Sequence, residues 1–415
     1  MTDSVSTFET LESNVRSYCR RWPAVFASSF GSHITDVNAV TYLDFFAGAG
    51  ALSYGHNNPV LVDVAIDHLR HHRLLHSLDT FTPEKRDWLE TLSSLILEPR
   101  GLDHIVQTVG PTGATAVEAA LQLAQNITGA RGVIGYAGGY HGMTYRTASV
   151  SDSMLPRSVV SHVKDFIALP FVETMTQVDL DLLDSTLENG VDGEKIGAIL
   201  LESVQGEGGA RPFDPAYLAH IRSLATKHKV LVIADEVQAG VGRTGPFFSF
   251  EGSGLDPDII CLSKSISGLG LPMALNLVRR SLDAWSPGEF TGTFRGNNLA
   301  FATSSAMLRT YWQTPDFETH TLAKAEIVSS ALDRLVRVYG AGRFTTRGQG
   351  LLRGLDLGST ELANSVAVHA FESQLIVETC GHEDTVVKLL MPLTTSNEDL
   401  TTGLEVLEKA LVSSL

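Results

Sequence analysis

From about Leu102 onward, the sequence alternates short, continuously apolar runs with helical patterns, and this alternation restricts the fold more than any other feature. Four apolar runs cover residues 133–136, 196–201, 230–234 and 259–262. Strands that are apolar on both faces are typical of a parallel sheet covered by helices on both sides. Between the second and third runs, Asp214 and Pro215 predict the start of a helix. We therefore predict an α/β fold with a mostly parallel central sheet.

The carboxyl-terminal part of the chain has a different character. Long helical patterns cover residues 322–338 and 400–411, with shorter strand-like runs between them. This arrangement predicts a second, smaller α+β domain. The sequence contains no Pro/Gly/Ser-rich linker, so we expect interleaved rather than separate domains. The predicted division is a large domain at 58–305, a small domain at 306–415, and an amino-terminal segment at 1–57 that contributes to the small domain.

Composition excludes some classes of function. The net charge of -16 disfavours a general electrostatic role on nucleic acid or anionic membranes, because phosphate-rich partners attract basic surfaces. The 3 cysteines include no C-x-x-C pair, so a reduced compartment is expected. No apolar run approaches the roughly 20 residues that a membrane-spanning helix needs. The sequence that begins Met1-Thr2-Asp3 lacks the basic region and apolar block of a signal peptide. We predict a soluble cytoplasmic protein that binds neither nucleic acid nor membrane.

Two charged residues follow neighbouring apolar runs. Asp235 comes directly after the run at 230–234, and Lys264 follows the run at 259–262 between two serines. The carboxyl ends of parallel strands meet at one edge of an α/β sheet, where ligands bind. A carboxylate there can keep a pyridinium nitrogen protonated, and a lysine amine can form a Schiff base. Either residue alone is more typical of a solvated loop, but the pair indicates a cofactor with a pyridine ring.

A phosphate site and a stacking residue are predicted from weaker signals. The Gly110-Pro111-Thr112-Gly113 turn precedes a helical pattern, so the backbone N–H groups of Gly113 and Ala114 are free to face an anion. Such a turn is by itself ordinary before a helix. Tyr140 follows the run at 133–136 and could stack on a planar cofactor, although an aromatic residue in this position is more often part of the core.

Two other patterns are discounted. Four histidines recur at helical spacing, namely His68, His71, His72 and His76. No carboxylate or cysteine completes a tetrahedral set with them, so a polar helix face is favoured over a metal site, and no metal is predicted. Gly48-Ala49-Gly50 begins a dinucleotide-binding pattern, but Ser53 stands where the third glycine belongs.

In this order and combination, the motifs resemble those of the class III (ω-amino-acid) aminotransferases of fold type I, which use pyridoxal 5'-phosphate (PLP). The resemblance covers nearly the whole chain. The family's D-E-V-Q motif implies that Asp235 binds the pyridine nitrogen and that Gln238 contacts the phenolic oxygen. Lys264 matches the lysine that forms the internal Schiff base. Gly113 with Ala114 matches the phosphate loop, and Tyr140 matches the aromatic residue of an aromatic-H-G motif.

The resemblance also implies an assembly. Thr293-Phe294-Arg295-Gly296-Asn297 matches the family's T-[FY]-x-G-N motif. In the family, that threonine reaches the phosphate of the neighbouring subunit's cofactor. The match of Thr293 therefore implies a homodimer, or a higher homo-oligomer built from dimers, with shared active sites and small-molecule amino-acid and oxo-acid substrates.

Within the family, one subgroup is similar over several stretches: the L-2,4-diaminobutyrate:2-oxoglutarate aminotransferases of ectoine biosynthesis. These stretches are 42–59, 202–209, 245–251 and 270–275. Two departures from the wider family are shared with this subgroup. Met143 replaces the arginine of a common H-G-R-T motif, and Lys388 replaces an arginine that clamps a substrate carboxylate and pairs with a glutamate, matched here by Glu207. Lysine offers a point charge instead of a planar fork, so the substrate geometry should differ.

The subgroup resemblance implies transfer of the amino group of L-glutamate to the aldehyde of L-aspartate 4-semialdehyde. Lys264 would also be the general base that moves a proton at the substrate carbon. Another ω-amino-acid aminotransferase, of the 4-aminobutyrate or ornithine type, remains an alternative. A PLP-dependent aminomutase, racemase or decarboxylase of the same fold is a second alternative, and a non-catalytic PLP-binding regulator is a third. The intact pair of Asp235 and Lys264 argues against the regulator.

Overall fold

The computed structural model describes residues 5–152 and 165–415, so Met1-Thr2-Asp3, which bear on the signal-peptide prediction, lie outside it. Its helices are α1 Ser6–Leu11, α2 Tyr18–Arg21, α3 Pro59–Arg70, α4 Pro83–Leu92, α5 Gly113–Thr128, α6 Tyr145–Ser149, α7 Gln177–Asn189, α8 Pro215–His228, α9 Asn298–Tyr311, α10 Asp316–Tyr339, α11 Thr360–Glu372 and α12 Asn397–Ser414. Shorter helical turns cover Ala47–Gly50, Ser93–Leu97, Glu98–Arg100, Lys264–Ser267, Arg280–Leu282 and His382–Asp384.

The described residues form four sheets. Their strands are β1 Phe26–Phe30, β2 His33–Asp36, β3 Thr41–Asp44, β4 His104–Thr108, β5 Gly132–Tyr136, β6 Phe166–Leu169, β7 Ile196–Leu201, β8 Val204–Gln205, β9 Arg211–Pro212, β10 Leu231–Asp235, β11 Ile259–Leu262, β12 Leu275–Arg279, β13 Thr345–Gln349, β14 Leu352–Asp356, β15 Leu375–Ile376, β16 Glu378–Cys380 and β17 Val386–Leu389. The largest sheet has the order β4-β12-β11-β10-β7-β5-β6. In it, β12 is antiparallel to both neighbours, and the other adjacent pairs are parallel. The prediction of an α/β fold with a mostly parallel central sheet is confirmed.

The predicted strands and helix starts agree closely with the observed ones. The runs at 196–201 and 259–262 coincide with β7 and β11, and every residue in these two strands is buried. Strand β10 begins one residue later than predicted and ends at Asp235, which the prediction placed just after the strand. Helix α8 begins at Pro215 as predicted, and the Asp214 carboxylate accepts a hydrogen bond from the backbone N–H of Ala216 at 2.8 Å.

The carboxyl-terminal part packs around a sheet of its own, with the antiparallel order β13-β14-β17-β16. Its hydrophobic core includes Leu332 and Leu389, and also Leu43 and Phe45 from the amino-terminal segment. This shared core supports the predicted contribution of residues 1–57 to the small domain. Helix α9 crosses the predicted boundary at 305, and its Phe301 lies in the core of the large sheet. We therefore propose a domain boundary after α9.

The histidine cluster is not a polar helix face, and that part of the prediction is wrong. Helix α3 ends at Arg70, so His71, His72 and His76 lie beyond it. His68 is buried, with its Nε2 atom 3.3 Å from the carbonyl oxygen of Leu74. In the described part of the chain, no group of three His, Cys, Asp or Glu residues is arranged to hold a metal ion. No helix in the same residues has the length and apolar character needed to cross a membrane.

Candidate active site

Asp235 lies at the carboxyl end of β10, near the middle of the large sheet, and is buried. Its Oδ2 atom lies 2.7 Å from His141 Nδ1, and its Oδ1 atom accepts a hydrogen bond from the backbone N–H of Val237 at 3.1 Å. Burial opposes the charged imidazole, but the hydrogen bond and the charge of Asp235 raise the pKa of His141 above its ordinary value. A carboxylate held in this way is suited to pair with a protonated ring nitrogen.

His141 is a functional candidate that sequence reasoning missed. It belongs to the Tyr140-His141-Gly142 motif, from which the sequence predicts a role for the tyrosine alone. The signal was present in the motif, but the partner of His141 lies 94 residues further along the chain. Its role as the residue that orients Asp235 therefore depends on the tertiary fold.

Lys264 follows β11, the strand next to β10, as the sequence predicted. Its backbone is left-handed, with a φ of 50°, a conformation that non-glycine residues adopt rarely and often at functional sites. The flanking Ser263 and Ser265 fix the loop by donating hydrogen bonds to the carbonyl oxygens of Met273 and Gly50 at 2.8 and 2.6 Å. Burial lowers the pKa of the Lys264 amine, although nearby carboxylates oppose this. A lowered pKa favours the nucleophilic, neutral amine.

One cavity of about 460 Å³ brings most of the predicted site residues together. Seven of the nine predicted residues line it: Gly113, Ala114, Tyr140, Glu207, Asp235, Gln238 and Lys264. Thr293 and Lys388 do not. Met143, which was singled out as a departure from the family pattern, also lines the cavity. The sequence prediction of one ligand site at this sheet edge therefore has a geometric counterpart.

The amino terminus of α5 forms one end of this cavity. Thr112 caps the helix, with its side-chain oxygen accepting a hydrogen bond from the backbone N–H of Thr115 at 3.3 Å. A Cβ atom on Gly113 would lie 2.8 Å from Val237 Cγ1, which is closer than carbon atoms pack. The absence of a side chain at Gly113 thus allows helix α5 to pack closely against Val237. The first turn presents free backbone N–H groups to the cavity, as an anion site requires.

Tyr140 is held by Glu202, a second residue that sequence reasoning missed. The Glu202 carboxylate accepts hydrogen bonds from the backbone N–H groups of Tyr140 and Gly206 at 3.0 and 3.1 Å. Burial raises the pKa of Glu202 to about 7, against the opposing effect of His141. One buried carboxyl group therefore connects the backbone at Tyr140 to the backbone at Gly206.

Gln238 connects the cofactor side of the cavity to Glu207. Its Nε2 atom donates hydrogen bonds to Glu207 Oε1 at 3.1 Å and to the carbonyl oxygen of Ala49 at 3.3 Å. Its amide oxygen is buried and has no hydrogen-bond partner among the described residues. That oxygen lies against the backbone of Gly206.

Lys388 lies behind Glu207, away from the cavity wall. Its side chain is fully buried, and its Nζ atom donates a hydrogen bond to Glu207 Oε1 at 2.7 Å. The same Nζ atom lies 2.9 Å from Glu378 Oε1. Glu378 is a further residue that sequence reasoning missed, because nothing in the sequence indicates which residue lies opposite Lys388. Substrate binding by Lys388 and Glu207 stays a prediction.

Thr293 is exposed and lies outside this chain's own cavity. The neighbouring Phe294 is 66% exposed. This position does not assign a role to Thr293, and its contact with a partner's cofactor stays a prediction.

The residues of the cavity fit PLP by their chemistry. The free N–H groups in the first turn of α5 suit an anionic phosphate. The Asp235 carboxylate suits a protonated ring nitrogen. Lys264, which lines the same cavity, provides the amine that an aldehyde needs as a reaction partner. The half-buried ring of Tyr140 and the side chain of Val237 offer the apolar surfaces that a flat ring requires.

Comparisons with known proteins show the family to which the chain belongs. The family model for class III aminotransferases matches residues 18–411. The chain is 44% identical over 419 residues to a diaminobutyrate--2-oxoglutarate transaminase from Nocardia farcinica, an alignment that covers 99% of this chain and 95% of that protein. It is 42% identical over 417 residues to an uncharacterized aminotransferase from Sinorhizobium fredii, with coverage of 100% and 93%.

A solved structure shows the same fold. An S-selective transaminase from Bacillus megaterium superposes with a TM-score of 0.86 at 22% sequence identity, covering 99% of this chain and 97% of that one. At this level of identity the likeness bears on the fold alone.

Proposed function

The chain belongs to the class III aminotransferases, which are PLP-dependent, and we propose that it interconverts L-glutamate and L-aspartate 4-semialdehyde with 2-oxoglutarate and L-2,4-diaminobutyrate. The observation that carries the aminotransferase chemistry is the placement of Lys264 and the Asp235–His141 pair in one cavity. The name of the relative from Nocardia farcinica, at 44% identity over nearly the whole chain, supports this particular pair of substrates.

PLP, when bound, supplies a ring that accepts the electron pair left on a substrate carbon when that carbon loses a proton. Asp235 would hold a proton at the ring nitrogen, and His141 orients its carboxylate. The Lys264 Nζ atom removes and returns the proton at the substrate carbon that bears the amino group. Each cycle transfers one amino group, so no outside oxidant or reductant is needed.

We also propose a homodimer with shared active sites. The segment at 74–81 packs against the segment at 294–297, where the rings of His76 and Phe294 are 5.4 Å apart. Together these segments present a row of exposed apolar side chains, namely Leu74, Leu75, Leu78, Phe81 and Phe294. An exposed apolar patch of this kind is typical of a surface that binds another protein. Because Thr293 adjoins the patch, a second copy of the chain seated there would lie next to this threonine, as the family resemblance implies.

A role in ectoine biosynthesis and a cytoplasmic location remain parts of this proposal. They rest on the resemblance of residues 42–59 to the ectoine subgroup and on the sequence features already described. Another ω-amino-acid aminotransferase activity is the alternative that the same site would also support.

An amino-acceptor panel tests the proposal. The purified holoenzyme is incubated with L-glutamate and, separately, aspartate semialdehyde, succinate semialdehyde or glutamate semialdehyde, and the 2-oxoglutarate formed is measured. We expect the highest kcat/KM with aspartate semialdehyde. A preference for either of the other two aldehydes would establish the alternative, and no 2-oxoglutarate with any of them would contradict aminotransferase activity with glutamate.

A further inference from the structure

Glu378 and Lys388 lie directly opposite each other on the antiparallel strands β16 and β17. Both side chains are buried, with exposed fractions of 2% and 0%. Lys388 Nζ lies 2.9 Å from Glu378 Oε1 and 2.7 Å from Glu207 Oε1, so one ammonium group lies between two carboxylates. We call these three residues the Glu207–Lys388–Glu378 triad.

Lys388 is already paired with two carboxylates in the triad, so it attracts a substrate carboxylate only weakly. Two carboxylates raise the pKa of Lys388 well above its ordinary value despite the opposing effect of burial, so the lysine is protonated. Burial works against the charged form of Glu207 too, but Lys388 and Lys264 lower the pKa of its carboxyl to about 2. A substrate carboxylate would have to displace a buried carboxylate to reach Lys388, which exchanges one charged contact for another with no net gain.

The member of the triad that reaches the cavity is the carboxylate of Glu207, and Lys264 lines the same cavity. Gln238 donates a hydrogen bond to Glu207, whereas its own amide oxygen is buried against Gly206, so the Glu207 carboxylate is the acceptor of the triad that a ligand can meet. Lys388 is shared between two carboxylates, so its charge does not fully compensate that of Glu207. The ligand group that complements this carboxylate is a cation that donates several N–H bonds, such as an ammonium group.

We propose that, in the half-reaction with the ω-amino substrate, the Glu207–Lys388–Glu378 triad favours substrates that carry a second ammonium group in addition to the reacting one, and that Glu378 is the residue that determines this specificity. Glu378 does not line the cavity; it acts by pairing with Lys388, so that the Glu207 carboxylate keeps negative charge for the substrate. This inference deepens the proposed function and rests on it, because diaminobutyrate is a substrate with two amino groups.

The test compares two amino donors that differ only in the second ammonium group. L-2,4-Diaminobutyrate and 4-aminobutyrate have the same chain length and the same reacting terminal amine, but 4-aminobutyrate carries hydrogen in place of the 2-ammonium group. For the holoenzyme with 2-oxoglutarate as acceptor, the readout is the ratio of kcat/KM for diaminobutyrate to that for 4-aminobutyrate. Slow donors are followed in single turnovers at high enzyme concentration.

We expect Glu378→Gln to lower this ratio by about tenfold or more, the scale of one lost charge-assisted contact. Glu378→Asp keeps the charge and should restore the ratio at least in part. Glu405→Gln makes the same chemical change on an exposed helical surface and should leave the ratio as in the wild type. If Glu378→Gln does not retain PLP, Glu207→Gln removes the charge from the cavity side and should lower the ratio in the same way.

An equal change in kcat/KM for both donors in Glu378→Gln would show a merely structural role and overturn the inference. A ratio in Glu378→Asp that is no higher than the ratio in Glu378→Gln would overturn it too. These outcomes leave the proposed function intact, because they concern variants of an active enzyme. Failure of the wild-type holoenzyme to transfer an amino group from diaminobutyrate would contradict the proposed function itself.

Discussion

The Nδ1 atom of His141 lies 2.7 Å from the Oδ2 atom of Asp235, and both side chains are buried. The pair connects the loop after β5 with the end of β10, two strands that are separated in the sheet by β7. A buried carboxylate costs free energy unless it is paired, and the histidine is the partner that fixes Asp235 where a ring nitrogen could meet it. The proposed role of Asp235 at the ring nitrogen depends on this one contact.

Replacement of Asp235 by asparagine removes the negative charge but keeps the side-chain shape. We expect kcat to fall by about a hundredfold or more, the scale for loss of a preorganised charged group in an active site. The variant should remain folded and retain at least part of its PLP, because the phosphate and lysine contacts remain. Steady-state kinetics and cofactor content measure the two effects, and an unchanged kcat would rule out the proposed role of Asp235.

Tyr140 should contribute to cofactor affinity through its ring and not through its hydroxyl group. We predict that Tyr140→Ala weakens PLP binding by about threefold to tenfold, as expected for one aromatic stacking contact. Tyr140→Phe keeps the ring and is the matched control, with an affinity close to that of the wild type. The measurement is the Kd for PLP from titration of the apoenzyme; equal losses in both variants would assign the effect to the hydroxyl group instead.

Much of the site was predictable because strand ends in an α/β sheet are local features of a sequence. Asp235 and Lys264 each follow an apolar run, and the parallel sheet brings such positions to one edge. The pairing of Glu378 with Lys388 was not predictable, because it depends on which residues lie opposite each other on β16 and β17. His68 was misread because its spacing resembles a polar face, whereas its side chain turns into the core.

The buried carboxyl of Glu202 should give protein stability a distinct pH dependence. Its pKa is raised from 4.5 to about 7, so between these values the folded chain holds a proton that the unfolded chain has lost. The contribution to stability is therefore fully present below the unfolded pKa and is lost as the pH rises through the folded pKa. We predict that the Tm of the wild type, relative to that of Glu202→Gln, falls across this window. A Tm difference that is constant or rises with pH would contradict this assignment.

Mixed dimers test whether Thr293 serves the partner subunit. Thr293→Ala alone should weaken PLP retention. If the threonine serves the other subunit's site, a hybrid of a Lys264→Ala subunit with a Thr293→Ala subunit contains one fully wild-type site. We expect such hybrids, isolated by dual affinity tags, to recover activity with wild-type PLP affinity. Active hybrids that retain only the weakened affinity of Thr293→Ala would instead place the threonine in its own subunit's site.

The most direct test of the central claim is the visible absorbance and turnover of Lys264→Ala, measured together after incubation with PLP. We predict that the absorbance band of lysine-bound PLP disappears and that amino transfer from glutamate is abolished, while the exposed-lysine control Lys409→Ala keeps both. A Lys264→Ala protein that remains coloured and active would contradict the assignment of this lysine, and with it the proposed chemistry of the site.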